Sequence, residues 1–191
     1  LRHDLETLLD SPSAALRGQA AEGLGQLGDR QVIPLLLQRL EHEAVPVARL
    51  GAALALQQLG EPHGGAELEQ LLGSANAEVQ LRAALSRCVR LSAAARRVLS
   101  TFLERPELPA LPRLSILTCQ AQAGEAQAVA ALRAQVVGAA RSAERIAAQA
   151  RLAELGDFSA LQMLHELIHQ RGPDHLLAAR LLGPSAGTAA A

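Results

Sequence analysis

Residues 165–175 read His-Glu-Leu-Ile-His-Gln-Arg-Gly-Pro-Asp-His, a spacing suited to metal chemistry. On a helix, His165 and His169 share one face, Gly172 lets the chain turn, and His175 could close a three-histidine zinc site. Glu166 would then be the base that activates a zinc-bound water. Two other strings invite chemistry. His42-Glu43 recurs as His165-Glu166, a pair type that can ligate iron, and Gly183-Pro184-Ser185-Ala186-Gly187 fits the G-x-S-x-G nucleophile turn. Each string works only if the right elements hold it, so the elements decide.

A 32-residue internal period organises the chain. Leu27-Gly28-Asp29 recurs as Leu59-Gly60-Glu61, Leu91-Ser92-Ala93, Ala123-Gly124-Glu125 and Leu155-Gly156-Asp157. A second column holds Arg17, Arg49, Leu81, Arg113 and Arg145 at the same interval. Periods of this length mean stacked supersecondary units rather than a fold around one deep pocket. Each unit reads as two helices. The predicted pairs are 2–9 and a helix ending at 27; 31–41 and, past a break around Pro46, to 59; 65–72 and 76–91; 93–104 and 110–122; 126–139 and 142–155; 158–170 and 174–182.

The punctuation has physical causes. Gly28, Gly60, Gly124 and Gly156 stand where a left-handed residue ends a helix, and the acids that follow favour the start of the next. Ser11, Ser13, Asn76 and Ser142 are expected N-caps of the second helices. The core stripe of those helices runs Ala20-Leu24-Leu27, Ala52-Leu56-Leu59, Ala84-Cys88-Leu91 and Ala148-Leu152-Leu155. The sixth unit is shortened, with Gly183 arriving 27 residues after Gly156.

Composition narrows the functions. Hydrophobic residues make up 49% of the chain but aromatic ones only 1%, so the core is Ala, Leu, Val and Ile and the fold class is all-α. All 18 basic residues are Arg, which excludes Schiff-base lysine chemistry and a Walker phosphate loop. A net charge of −1 and the lack of stacking aromatics argue against nucleic-acid binding. No apolar run reaches membrane-spanning length, so no membrane insertion is expected. Cys88 and Cys119 fall in predicted helices, in different repeats and columns, and read as buried small hydrophobes in a reducing, cytoplasmic setting.

Leu16-Arg17 through Ala20-Ala21 to Leu24, with Leu27-Gly28-Asp29 and its copies, resembles the short HEAT-like repeats of the phycobilin-lyase type over roughly residues 2–183. The resemblance implies an α-α superhelix of about six antiparallel pairs over residues 1–183, with 184–191 as a flexible tail. In such repeats the recurrent arginine braces neighbouring units, which makes Arg17, Arg49, Arg113 and Arg145 structural. It also implies a bland account of the three strings. The zinc string matches the metzincin protease signature, yet no strand pattern precedes it and no Met follows His175. His165 shares a column with Leu37, Glu69, Thr101 and Arg133, and His169 with Glu41, Gly73, Arg105 and Val137, all mixed positions of first helices. HEAT-like di-iron hydroxylases of the deoxyhypusine type carry four His-Glu pairs at equivalent positions. Here there are two, 123 residues apart, outside one column. The G-x-S-x-G string leaves a helix where the nucleophile turn needs a strand.

The sequence therefore points to a protein-interaction scaffold without catalysis, metal or cofactor. The alternatives are a phycobilin-lyase-like subunit or chaperone for a chromophore protein, and a zinc-dependent hydrolase using His165, His169 and His175. Arg82, Arg87 and Arg90, with Arg96 and Arg97 nearby, form the candidate docking patch for a protein partner with an acidic surface.

Overall fold

The computed structural model describes residues 1–139, 141–170 and 172–182, and over them the chain is all-α with no strand. The helices are α1 Arg2–Leu8, α2 Ala14–Gln26, α3 Ile33–His42, α4 Pro46–Gln58, α5 Pro62–Leu71, α6 Ala77–Leu85, α7 Ala93–Leu103, α8 Ala110–Gln122, α9 Ala126–Gly138, α10 Ser142–Glu154, α11 Phe158–His169 and α12 His175–Leu182. Single 3-10 turns cover Arg30–Val32 and Cys88–Arg90. Two compact units result: unit 1 comprises residues 1–87 and 91–102, and unit 2 comprises 88–90 and 103 onward. Within each, helix pairs stack so that second helices also touch second helices: α2, α4 and α6 in unit 1, and α8, α10 and α12 in unit 2.

Gly28, Gly60, Gly124 and Gly156 all adopt positive φ, between 72° and 88°. At Gly60, Gly124 and Gly156 the next N–H returns to a carbonyl five residues back: Glu61 to Leu56 at 2.8 Å, Glu125 to Gln120 at 3.0 Å and Asp157 to Leu152 at 3.0 Å. This satisfies carbonyls the helix end would otherwise orphan. Helix starts are capped by Ser13, which accepts from Leu16 N, and by Asn76, which accepts from Glu78 N and Val79 N. Asp29 and Asp157 prove to be true N-caps as well. Ser11 instead accepts from Ser13 N, and Ser142 is the first residue of α10, its hydroxyl donating to Asp174 Oδ1 at 3.1 Å.

The core stripe holds for Ala20, Leu24, Ala52, Leu56, Leu59, Ala84, Ala148 and Leu152, all buried. Leu27 departs from it: as the C-cap residue of α2 it is 42% exposed. Unit 1 is drawn together where α2 meets α4. A Cβ on Gly51 would lie 2.2 Å from the Gly18 carbonyl oxygen, and one on Gly25 would lie 2.6 Å from the Ala55 Cα. Only residues without side chains permit that approach of two backbones. Around it Leu9, Leu24, Val32, Leu36, Ala55 and Leu56 form one apolar cluster. In unit 2, one cluster gathers Leu114, Leu117, Leu132, Ala148 and Leu152, and another Ile146, Ala150, Leu164 and Ala178.

The cysteines require a correction. The second helix of the third repeat, expected to reach residue 91, stops at Leu85. There the Ser86 hydroxyl donates to Ala83 O, Gln57 Nε2 donates to Ser86 O, and Arg87 turns to the Gly65 carbonyl. Cys88 therefore sits on the 3-10 turn rather than in the helical stripe, and it is disulfide-bonded to Cys119 of α8, with the Cα atoms 4.8 Å apart. Neither is a free buried thiol.

Candidate functional site

The arginine column explains the brace. Arg17 Nε and Nη2 donate to the two Glu43 carboxylate oxygens at 2.7 and 3.0 Å, while Nη1 donates to Ser11 O at 2.8 Å. Arg49 repeats the pattern one unit on, with Nε and Nη2 each 2.7 Å from a Glu67 oxygen and Nη1 2.9 Å from Glu43 O. Each guanidinium so ties the loop of its own repeat to a carboxylate of the next, in the bidentate geometry that suits Arg. Arg17, helped by the Val45 N–H, holds the Glu43 carboxyl below the usual carboxylate range. Arg113 keeps only the carbonyl half, to Leu103 O at 3.3 Å and Arg105 O at 3.1 Å. Arg145 has neither half: its guanidinium makes no hydrogen bond or ion pair with a described residue.

First-helix arginines add a second set of braces. Arg2 pairs with Asp29, and Arg133 reaches Asp157 at 2.9 Å. Asp157 also accepts from the Ser159 hydroxyl at 2.6 Å and from Ala160 N at 3.2 Å. The Ser159 hydroxyl, then Arg133 and the Ala160 N–H, lower its pKa to about 2.

The three candidate docking arginines do not form one free patch. Arg82 of α6 donates to both carboxylate oxygens of Glu22 on α2, at 2.8 Å each. Arg87 donates to Gly65 O at 2.9 Å and lies 3.4 Å from Glu69, which also accepts from the Ser92 hydroxyl. Arg90, on the 3-10 turn, is exposed. No periodicity marks the Arg82–Glu22 pair, because its partners lie 60 residues apart in unlike columns.

The catalytic-looking strings fall as follows. His165, Glu166 and His169 are exposed on α11, with the two imidazole centroids 6.5 Å apart. His175 turns its Nδ1 to Gly172 O at 2.6 Å. No group of three or more His, Cys, Asp or Glu among the described residues is placed to hold a metal ion. Glu43 of the His42-Glu43 pair is the largely buried partner of Arg17, and His42 Nδ1 faces Gln38 O at 2.8 Å. The G-x-S-x-G string at 183–187, and with it the tail at 184–191, lies outside the described residues.

Open grooves accompany the braces. In unit 1, one of about 290 Å³ is floored by Arg17 and Glu43 between α1 and α3. Another, of about 680 Å³, borders Arg49 and Glu67 between α3 and α5, with Leu37, Leu40 and Glu41 on its wall. Among the described residues no helix is long and apolar enough to cross a membrane.

Stacked helix pairs, arginine–carboxylate braces between repeats and left-handed glycine stops define an all-α repeat protein. Residues 3–88 match the family model of HEAT repeats. No curated protein matches the chain.

Proposed function

We propose that the protein is a non-catalytic scaffold whose inter-repeat grooves receive segments of other proteins. One observation carries this: in two successive repeats of unit 1 an open groove borders a column arginine already satisfied by its own carboxylate. A lining neutralised in this way suits recognition rather than proton transfer or nucleophilic attack. HEAT repeats are commonly interaction scaffolds, which supports the same reading. Of the three candidate arginines, exposed Arg90 is the one we retain as a contact for an acidic partner. The Cys88–Cys119 bond supports an oxidising compartment in place of the cytoplasm.

The test uses purified intact protein as bait in its source cell extract, followed by reconstitution with any candidate partner on size-exclusion chromatography. Stoichiometric co-elution that weakens on Glu41→Arg, while Arg90→Glu slows association, is the expected result. Zinc-dependent hydrolysis that vanishes in His169→Ala would overturn it.

A further inference from the structure

The fifth repeat breaks one apolar column, at a residue buried against α11 of the next repeat. Position 149 belongs to a column otherwise filled by Ala21, Ala53, Leu85 and Leu117, yet it is Gln, and it is only 6% exposed. Its Nε2 donates to Met163 Sδ at 3.4 Å, and its Oε1 is buried without a partner. Arg145, whose guanidinium meets no carboxylate among the described residues, stands one turn before Gln149 on α10. Arg145, Gln149 and Met163 line one pocket of about 190 Å³ between α10 and α11, with Ile146, Glu166 and, ahead of α12, Asp174 also lining it.

We propose that this pocket binds an arginine side chain presented by a partner protein, which deepens the scaffold reading and rests on it. A buried carbonyl oxygen with no donor is costly unless something supplies an N–H. Among the described lining residues two carboxylates outweigh the single guanidinium, which favours a cationic donor. An arginine offers several N–H groups in a rigid fork for Gln149 Oε1 and Glu166, on a methylene stem that packs against Ile146 and Met163. Arg145 is left to do for the ligand's backbone carbonyl what Arg17, Arg49 and Arg113 do for carbonyls of this chain.

Met163 is the single methionine, so ¹³C-methyl-methionine labelling of the intact chain gives one NMR reporter inside the pocket. The probes are N-acetyl-argininamide, N-acetyl-norleucinamide and the N-acetyl amide of glutamic acid. The arginine probe is expected to shift the Met163 methyl saturably, and the other two much less. Gln149→Leu, which installs the residue found at 85 and 117, should weaken that binding roughly ten-fold, as for a lost hydrogen bond to a charged group. Its Tm should hold or rise, because an unpaired buried amide has gone. Glu166→Gln should weaken binding by a smaller factor. No saturable shift, as from a pocket holding only water, would overturn the proposal, as would an equal response to all three probes or full binding by Gln149→Leu. If the probe fails while the intact chain still captures a partner, this site fails alone. If the probe binds and no partner is found, the scaffold reading fails and the pocket stands.

Discussion

Unit 1 and unit 2 share one repeat pattern but hold themselves together differently. In unit 1 the column arginines end on carboxylates, and α2 and α4 approach until Gly18 and Gly51 meet backbone to backbone. In unit 2, Arg113 reaches only carbonyls, Arg145 reaches nothing described, and a disulfide ties the 3-10 turn at 88–90 to α8. Arg17 and Arg49, which end on carboxylates, are committed to structure, whereas the Arg145 guanidinium, without a partner among the described residues, stands beside the unpartnered Gln149 amide oxygen.

The comparison can be broken by removing what each unit depends on. Leu56→Ala, at a fully buried site of unit 1, should cost about 2–5 kcal/mol, measured by chemical denaturation. Reduction of Cys88–Cys119 should destabilise unit 2 by about 3–4 kcal/mol, from loop-closure entropy over a separation of 31 residues. Hydrogen exchange should localise that loss to residues 103–170, and protection unchanged there on adding reductant would show the bond to be dispensable. Gly51→Ala should cost about 1–3 kcal/mol, since the added methyl meets backbone rather than a movable side chain, whereas Gly138→Ala meets nothing and should be neutral or slightly stabilising.

Two smaller effects sharpen the contrast. Arg49→Ala leaves Glu67 buried and unpaired and should cost about 1–3 kcal/mol. Arg145→Ala should stay within about 0.5 kcal/mol, and equal losses would erase the distinction between the two arginines. Acid titration gives the last test. Asp157 is depressed from 3.8 to about 2 in the folded chain, so its contribution is present above pH 4 and fades as pH falls from about 4 towards 2. Asp157→Asn should flatten that part of the pH–stability curve.

Much of the fold was legible because it is local. The glycine stops, the Asp and Asn caps and the Leu24–Leu56–Leu152 column follow from neighbours within one helix or turn. Arg17 and Arg49 were legible as braces because repetition at 32 residues marks a shared structural duty. What stayed hidden depends on contacts between unlike columns. The early end of α6 at Leu85, the Cys88–Cys119 bond and the Arg82–Glu22 pair all arise where the third repeat stops obeying the period. Leu81 replacing the column arginine and Ser92 replacing the glycine stop were the visible signs of it. Gln149 was legible in principle as the one polar residue of its column, but only its unpartnered oxygen gives it meaning.

The glycine and alanine seam between α2 and α4 has a thermal consequence. Such residues surrender almost no rotamer freedom on folding, and they expose little apolar surface when the chain opens. The seam should therefore add less than the usual ~12–15 cal/mol/K per residue to the heat-capacity increment of unfolding. The curvature of the stability curve of unit 1 should come instead from the leucines around the seam, such as Leu9, Leu24, Leu36 and Leu56.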